Sequence, residues 1–368
     1  MAPSRRPKVS RAVIRKAVKL LEDGRTSFDL ELWESFEADL ARYFGVPQAL
    51  LCCNGTAAAH SAFFALGLGP GDEVIAPPYT HWATVIPATL LGCNIVFADT
   101  APDSLSLTVE SVRARITPAT RAVVVCHLYG NPVDVAGLRA LCDEHGLSLL
   151  EDISHAPGAT VHGRRVGSFG DAAFMSFQAK KVVSGGEGGA LLVKEFDAYA
   201  RAMEFGQPNR LFRLPPEYRA YNPVGRGYKY RLSPLLALLA YESFKGLERH
   251  NAARTAAAGV LRAALAEVPD VCFPAEAPGA QRTFLKCEFF VKRGGSAEAV
   301  ARLRAAGLPA DPANFPILPD LPHFRGTEAA AASVPNARRL AAQLVLVDPP
   351  EIAVRRTAAR YARALRTR

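Results

Sequence analysis

From about residue 47 to 195 the chain alternates two patterns. Short runs of apolar, β-branched residues recur, and between them lie stretches with helical spacing. The runs predict strands at 48–52, 73–76, 94–98, 122–127, 147–151, 172–176 and 190–193. Between the first two, T-A-A-A-H-S-A-F-F-A-L-G reads as an Ala-rich helix stopped by Gly67 and by the turn Gly69-Pro70-Gly71-Asp72. A second helix, over about 134–145, closes before Gly146. Strands alternating with crossover helices predict an α/β fold built on a parallel sheet. After Gly189 the pattern changes. A Pro-, Arg- and Tyr-rich loop covers about 207–230, and one long helix through about 233–250 leads into a smaller lobe with a strand at 288–291 and a helix at 296–306. The expected division is 1–235 for an N-terminal segment and large domain, and 236–368 for a small C-terminal domain.

At 368 residues and 49% apolar content, the chain is long enough for two lobes and a substantial core. No stretch reaches the ~18 to 20 uninterrupted apolar residues of a membrane helix, and no apolar run with a small-residue cleavage site opens the chain, so a cytoplasmic location is expected. Seven cysteines, without C-x-x-C pairs or zinc spacing, read as reduced and mostly buried thiols, and no metal site is expected. The net charge of +9 comes from the ends. Residues 1–19 and 355–368 carry thirteen basic and no acidic side chains, leaving 31 basic against 35 acidic residues elsewhere. Arg355, Arg356, Arg360 and Arg363 therefore read as a solvated helix face, and nucleic acid is not the expected partner.

Three segments carry candidate chemistry. Asn54-Gly55-Thr56 falls between a strand and a helix, where backbone N–H groups, a glycine and a hydroxyl suit a phosphate or form an ordinary helix cap. Glu151-Asp152 ends an apolar strand, the place where open α/β sheets bind ligands. Asp152 either caps the next helix or holds a pyridinium nitrogen, keeping such a ring protonated as an electron sink. Lys180-Lys181 follows a strand and precedes S-G-G-E-G-G. It is a solvated pair beside a flexible loop, or it supplies a desolvated amine for imine chemistry.

In this order, with N-G-T-A-A-A-H, G-P-G-D-E-V-I-A-P-P-Y-T, E-D-I-S-H-A-P-G-A, S-F-Q-A-K-K-V-V-S-G-G-E-G-G and G-Y-K-Y-R-L-S, the chain resembles the DegT/StrS-type sugar and cyclitol aminotransferases, from about Ile14 to Tyr241. The resemblance implies the fold of the fold-type-I pyridoxal-phosphate transferases: a large domain with a mostly parallel seven-stranded sheet and a smaller α+β domain. Counting five residues from Ser176 makes Lys181 the lysine that carries the cofactor. The resemblance further implies that Asp152 pairs with the ring nitrogen, that Ser176, Gly55 and Thr56 hold the phosphate, and that His155 lies near the phenolic oxygen. His81 occupies the place of a ring-stacking aromatic, while Trp82 beside it reads as a core residue. Lys229 stands where relatives reach the cofactor phosphate of the other subunit, which implies a homodimer; its plain reading is a solvated loop cation.

The implied activity moves an amino group from glutamate or glutamine to a keto-sugar or keto-cyclitol, with Lys181 as general acid and base. Two departures bear on the acceptor. The small lobe has N-F-P-I-L-P-D-L-P-H-F in place of a P-x-x-H-like segment, and S-F-Q replaces S-F-Y. The rival readings are a dehydratase of the same fold, as in aminohydroxybenzoate formation, and a regulatory protein that kept the fold. Arg231 is a candidate for the donor carboxylate by position alone.

Overall fold

The computed structural model describes residues 9–222, 224–324, 327 and 333–366. The basic side chains Arg5, Arg6, Lys8 and Arg368 lie outside these.

Seven strands form one sheet: β1 (Gln48–Cys52), β2 (Glu73–Ala76), β3 (Asn94–Phe97), β4 (Thr120–Cys126), β5 (Ser148–Asp152), and, after a short hairpin of β6 (Thr160–Val161) and β7 (Arg164–Arg165), β8 (Ala172–Ser176) and β9 (Gly189–Val193). Their spatial order is β1-β9-β8-β5-β4-β2-β3. Six strands run the same way and β9 runs against both neighbours. Every strand expected from the hydrophobic runs is present within two residues of its expected bounds. Val123, Val124, Val125, Leu149, Leu150 and Leu191 are fully buried, as continuous apolar runs require when helices cover both sheet faces.

The C-terminal ends of the six like-directed strands gather the loops that bear the chemistry. The helix Gly55–Ala65 starts there. Asn54 caps it, its side chain accepting from the Ala57 N–H at 2.7 Å, a cap of about 1 kcal/mol. Helix Val135–His145 closes at Gly146 in the left-handed conformation (φ 65°), as its sequence predicts.

The single helix expected over 233–250 is two helices, Pro234–Lys245 and Leu247–Ala266. They part at Gly246, where the His250 ring lies 3.1 Å from the place a Cβ would occupy. Two helices at the start of the chain, Arg11–Glu22 and Leu30–Phe44, add to the expected set. The first lays Val13 and Leu20 against Leu238. The loop at 207–230 contains two short 3₁₀ turns, Pro208–Arg213 and Pro216–Tyr218.

The second sheet runs β10 (Val271–Cys272), β12 (Cys287–Val291), β14 (Leu344–Val347) and β13 (Asp311–Pro312), all antiparallel, while β11 (Ala280–Gln281) joins the β6/β7 hairpin. Phe289, Val345, Leu261, Leu303, Tyr361 and Leu365 share one core cluster beneath the helices Leu247–Ala266, Gly295–Ala305 and Val354–Arg366. On the last of these the arginines point outward and Ala358, Tyr361, Ala362 and Leu365 inward, so its charge is a solvated face. All seven thiols are free and five are buried. Among the described residues no helix is long and apolar enough to cross a membrane.

Candidate active site

Asp152 is the last residue of β5, and the register sets it beside Cys126 of β4 and Phe174 of β8. It is buried, and both oxygens are occupied. Oδ1 accepts from the Ser154 N–H at 2.9 Å and Oδ2 from the Thr84 hydroxyl at 2.7 Å. The preceding residue, Glu151, points to the other side of the sheet. Its carboxylate accepts from the Gly167 and Gly170 N–H groups at 2.8 and 2.6 Å and meets His127 Nε2 at 3.1 Å. His127 Nδ1 accepts from the Val133 N–H, so the ring proton sits on Nε2 and is donated to Glu151. Adjacent carboxylates thus divide the work: one anchors loops behind the sheet, the other faces the loop cluster.

The lysine loop is a tight hairpin rather than a flexible surface segment. The Phe177 N–H donates to Gly188 O, Ala179 to Gly186 O, and Gly185 to Phe177 O, at 2.8 to 3.0 Å. Glycine is required at 185, where a Cβ would lie 2.5 Å from the Leu236 carbonyl. At the tip the two lysines part: Lys180 is exposed, whereas Lys181 turns inward. Burial pushes the Lys181 amine below its ordinary value, opposed by the Asp152 carboxylate and the Cys126 thiol.

Two histidines complete the pocket. His155 is buried, and its Nδ1 accepts from the Tyr129 N–H at 3.2 Å. Burial, then the Lys181 charge and His81, hold it well below the usual histidine range. His81 is lowered by burial and by Lys181, with Asp152 opposing. Trp82, expected in the core, is 46% exposed and stacks on His81 with ring centroids 4.0 Å apart. It sits at the first position of a short 3₁₀ turn at the site mouth, which presents its ring to solvent.

On the other side, Gly55 lies so close to β8 that a Cβ would stand 2.8 Å from Ser176 Cβ, and Gly189 lies as close to Asn54. The start of the helix, with exposed Thr56, is therefore held against the Ser176 end of β8. The N–H groups at that helix start and the hydroxyls of Thr56 and Ser176 are brought together there, a cradle of the chemistry that suits an anion. Lys229 is exposed on the loop beside Arg231 and Pro208–Arg210 and, among the described residues, makes no hydrogen bond or ion pair to the site. The end of that loop is tied to the cradle, the Cys53 N–H donating to Tyr230 O at 2.6 Å.

Sequence reasoning missed four contributors: Thr84, Tyr129, Asn314 and Phe315. A strap from the small lobe crosses the site mouth, with Ile317 bridged to Tyr79 and the Leu318 N–H donating to Pro78 O at 2.8 Å. It stacks Phe315 on His155 (5.9 Å, 19°) and sets it edge-on to His81 (5.7 Å, 87°). The histidine of the same segment, His323, is engaged elsewhere, 2.8 Å from the Thr89 hydroxyl. The one signal in the sequence was Gly130, whose φ of 101° lets the chain turn behind Tyr129.

An inward amine on the side of a strand-end carboxylate, two neutral imidazoles and a helix-start cradle fit pyridoxal phosphate, and the sheet order is that of the fold-type-I pyridoxal-phosphate enzymes. The chain matches the model of the DegT/DnrJ/EryC1/StrS aminotransferase family over residues 9–350 and belongs to that family. It is 36% identical over 227 residues to the GDP-perosamine synthase of Caulobacter vibrioides, covering 61% of this chain and 59% of that one. It is 35% identical to the UDP-N-acetyl-3-dehydro-alpha-D-glucosamine 3-aminotransferase of Acidithiobacillus ferrooxidans, covering 66% of this chain and 63% of that one. The matched stretches thus span about three fifths of the length of these curated relatives. A solved structure of DesI with its TDP-sugar product is 30% identical, with a TM-score of 0.85, covering 98% of this chain and 92% of the other.

Proposed function

We propose that the protein is a pyridoxal-phosphate aminotransferase that moves an amino group from glutamate or glutamine to a keto-sugar or keto-cyclitol. The observation that carries the reading is a Lys181 amine lowered by burial and opposed by the charge of the strand-end carboxylate Asp152, in a chain of this family. The relatives named for perosamine and glucosamine chemistry support a sugar as acceptor.

Bound here, the cofactor supplies an electron sink for the carbon that gives or receives the amino group. Lys181 would hold it, and its amine, which burial makes easier to deprotonate, would serve as the acid and base at that carbon. Asp152 keeps the ring nitrogen protonated; the Thr84 hydroxyl and the Ser154 N–H fix its orientation for that purpose. His155, with Nδ1 committed to the Tyr129 N–H, offers its other nitrogen to the phenolic oxygen. His81, backed by Trp82, stacks on the ring. Ser176, Gly55 and Thr56 bind the phosphate, and Lys229 of a second copy completes the cradle across a homodimer interface. Residues 1–235 then form the cofactor domain and 236–368 the lobe that closes it.

Adding L-glutamate or L-glutamine to the cofactor-loaded protein without acceptor tests this. One equivalent of the matching 2-oxo acid per site is expected. A loaded protein that converts neither contradicts the aminotransferase reading and favours dehydration.

A further inference from the structure

The hydrogen bonds around Tyr129 run in one direction. Tyr129 takes a left-handed conformation (φ 54°) that aims its hydroxyl at the strap. The hydroxyl donates to Asn314 Oδ1 at 2.6 Å and lies 3.1 Å from the Tyr79 hydroxyl. A phenol has one proton. With the Tyr129 proton on Asn314, Tyr79 must donate to Tyr129. The chain Tyr79 to Tyr129 to Asn314 Oδ1 thus places every proton, and it fixes the amide with its two Nδ2 protons directed away from Tyr129. Asn314 is exposed at the mouth, one residue from a ring that lies against both His155 and His81.

Resting on the aminotransferase reading, we propose that Asn314 binds the α-carboxylate of the amino donor through Nδ2, oriented by Tyr129. A neutral amide suits a pocket that must hold a carboxylate in one half of the cycle and an uncharged polyol in the other. An arginine in that place would lose its partner whenever the sugar was bound, leaving a charge without a counter-ion in a partly desolvated site. The same two N–H groups can turn from carboxylate oxygens to a ring hydroxyl at little cost.

The test is the donor half-reaction of the cofactor-loaded protein, followed by cofactor absorbance against L-glutamate and L-glutamine concentration. Asn314→Asp keeps the acceptor for Tyr129 but turns negative charge to the donor. It is expected to raise KM for both amino acids at least tenfold, with the limiting rate and the spectrum of the bound cofactor unchanged. Tyr129→Phe, which keeps the ring and its backbone preference, is expected to raise KM severalfold through lost orientation, again at constant limiting rate. Equal KM values for wild type and Asn314→Asp overturn the assignment. An effect confined to L-glutamate overturns it as well, because the contact would then be to the side-chain carboxylate. If wild type binds cofactor and reacts with neither amino acid, the aminotransferase reading fails and this inference falls with it; that failure is distinct because it appears before any substitution.

Discussion

Thr84 donates its only hydroxyl proton to Oδ2 of Asp152 at 2.7 Å, across 68 residues of sequence. The Thr80 hydroxyl lies 3.1 Å from the Thr84 hydroxyl oxygen and must therefore be the donor in that pair, so two buried threonines are aligned behind one carboxylate. Thr84→Val removes the proton at nearly constant volume. A hydrogen bond to a charged group contributes about 1.5 to 3 kcal/mol, so a fall in kcat/KM of roughly tenfold or more is expected. Thr84→Ser should keep most of the activity. Steady-state kinetics of the two variants check this.

Gly55→Ala should fail although alanine is the better helix former. Its Cβ would stand 2.8 Å from Ser176 Cβ and 3.1 Å from Ser176 Cα, backbone and short side chain that cannot swing away. Overpacking of this kind costs about 1 to 3 kcal/mol, and it pushes the helix start off β8, where we propose that the phosphate binds. A lower unfolding midpoint together with weaker binding of pyridoxal phosphate is expected, measured by denaturation and by cofactor titration.

His155 gives the pH dependence of the cofactor-free protein a sign. Its pKa in the fold is depressed by burial first and by Lys181 and His81 after that. The neutral ring therefore contributes stability that is complete above the unfolded value of about 6.5 and is lost as pH falls from there towards the folded value. The slope approaches about 1.4 kcal/mol per pH unit for one such group. Urea midpoints between pH 7.5 and 5.5 should drop more steeply for wild type than for His155→Gln.

Lys229 gives a test by mixing. If it serves the site of a second copy, Lys181→Ala and Lys229→Ala are each inactive alone, but the mixed dimer holds one intact site. Random re-association should restore about a quarter of wild-type activity. No recovery on mixing would put Lys229 in its own chain's site, and full activity of Lys229→Ala alone would leave it a solvated cation.

The strands and the helix at Gly55 were legible because continuous β-branched runs and an alanine-rich helix with an Asn cap each report a local preference that packing agrees with. Gly246 was not, since a glycine inside apolar helical spacing reads as tolerated until the His250 ring is placed beside it. The site divides likewise. Asp152 ends a strand that periodicity locates and Lys181 lies on the loop that leaves another, so that both fall on the loop side of the sheet could be anticipated. Thr84 and Asn314 act through contacts across 68 residues and across two lobes, for which a single sequence carries no spacing signal. Trp82 was misjudged because a large aromatic among apolar neighbours is ordinarily core, and only the short 3₁₀ turn faces it outward.

The proposed function attaches the cofactor to Lys181 and not to its neighbour Lys180. The measurement is the visible absorbance of the protein reconstituted with pyridoxal phosphate, beside Lys181→Ala and Lys180→Ala. A bound-cofactor band is predicted for wild type and Lys180→Ala, resistant to gel filtration and absent from Lys181→Ala. A band that survives in Lys181→Ala, or that disappears in Lys180→Ala alone, would contradict the account.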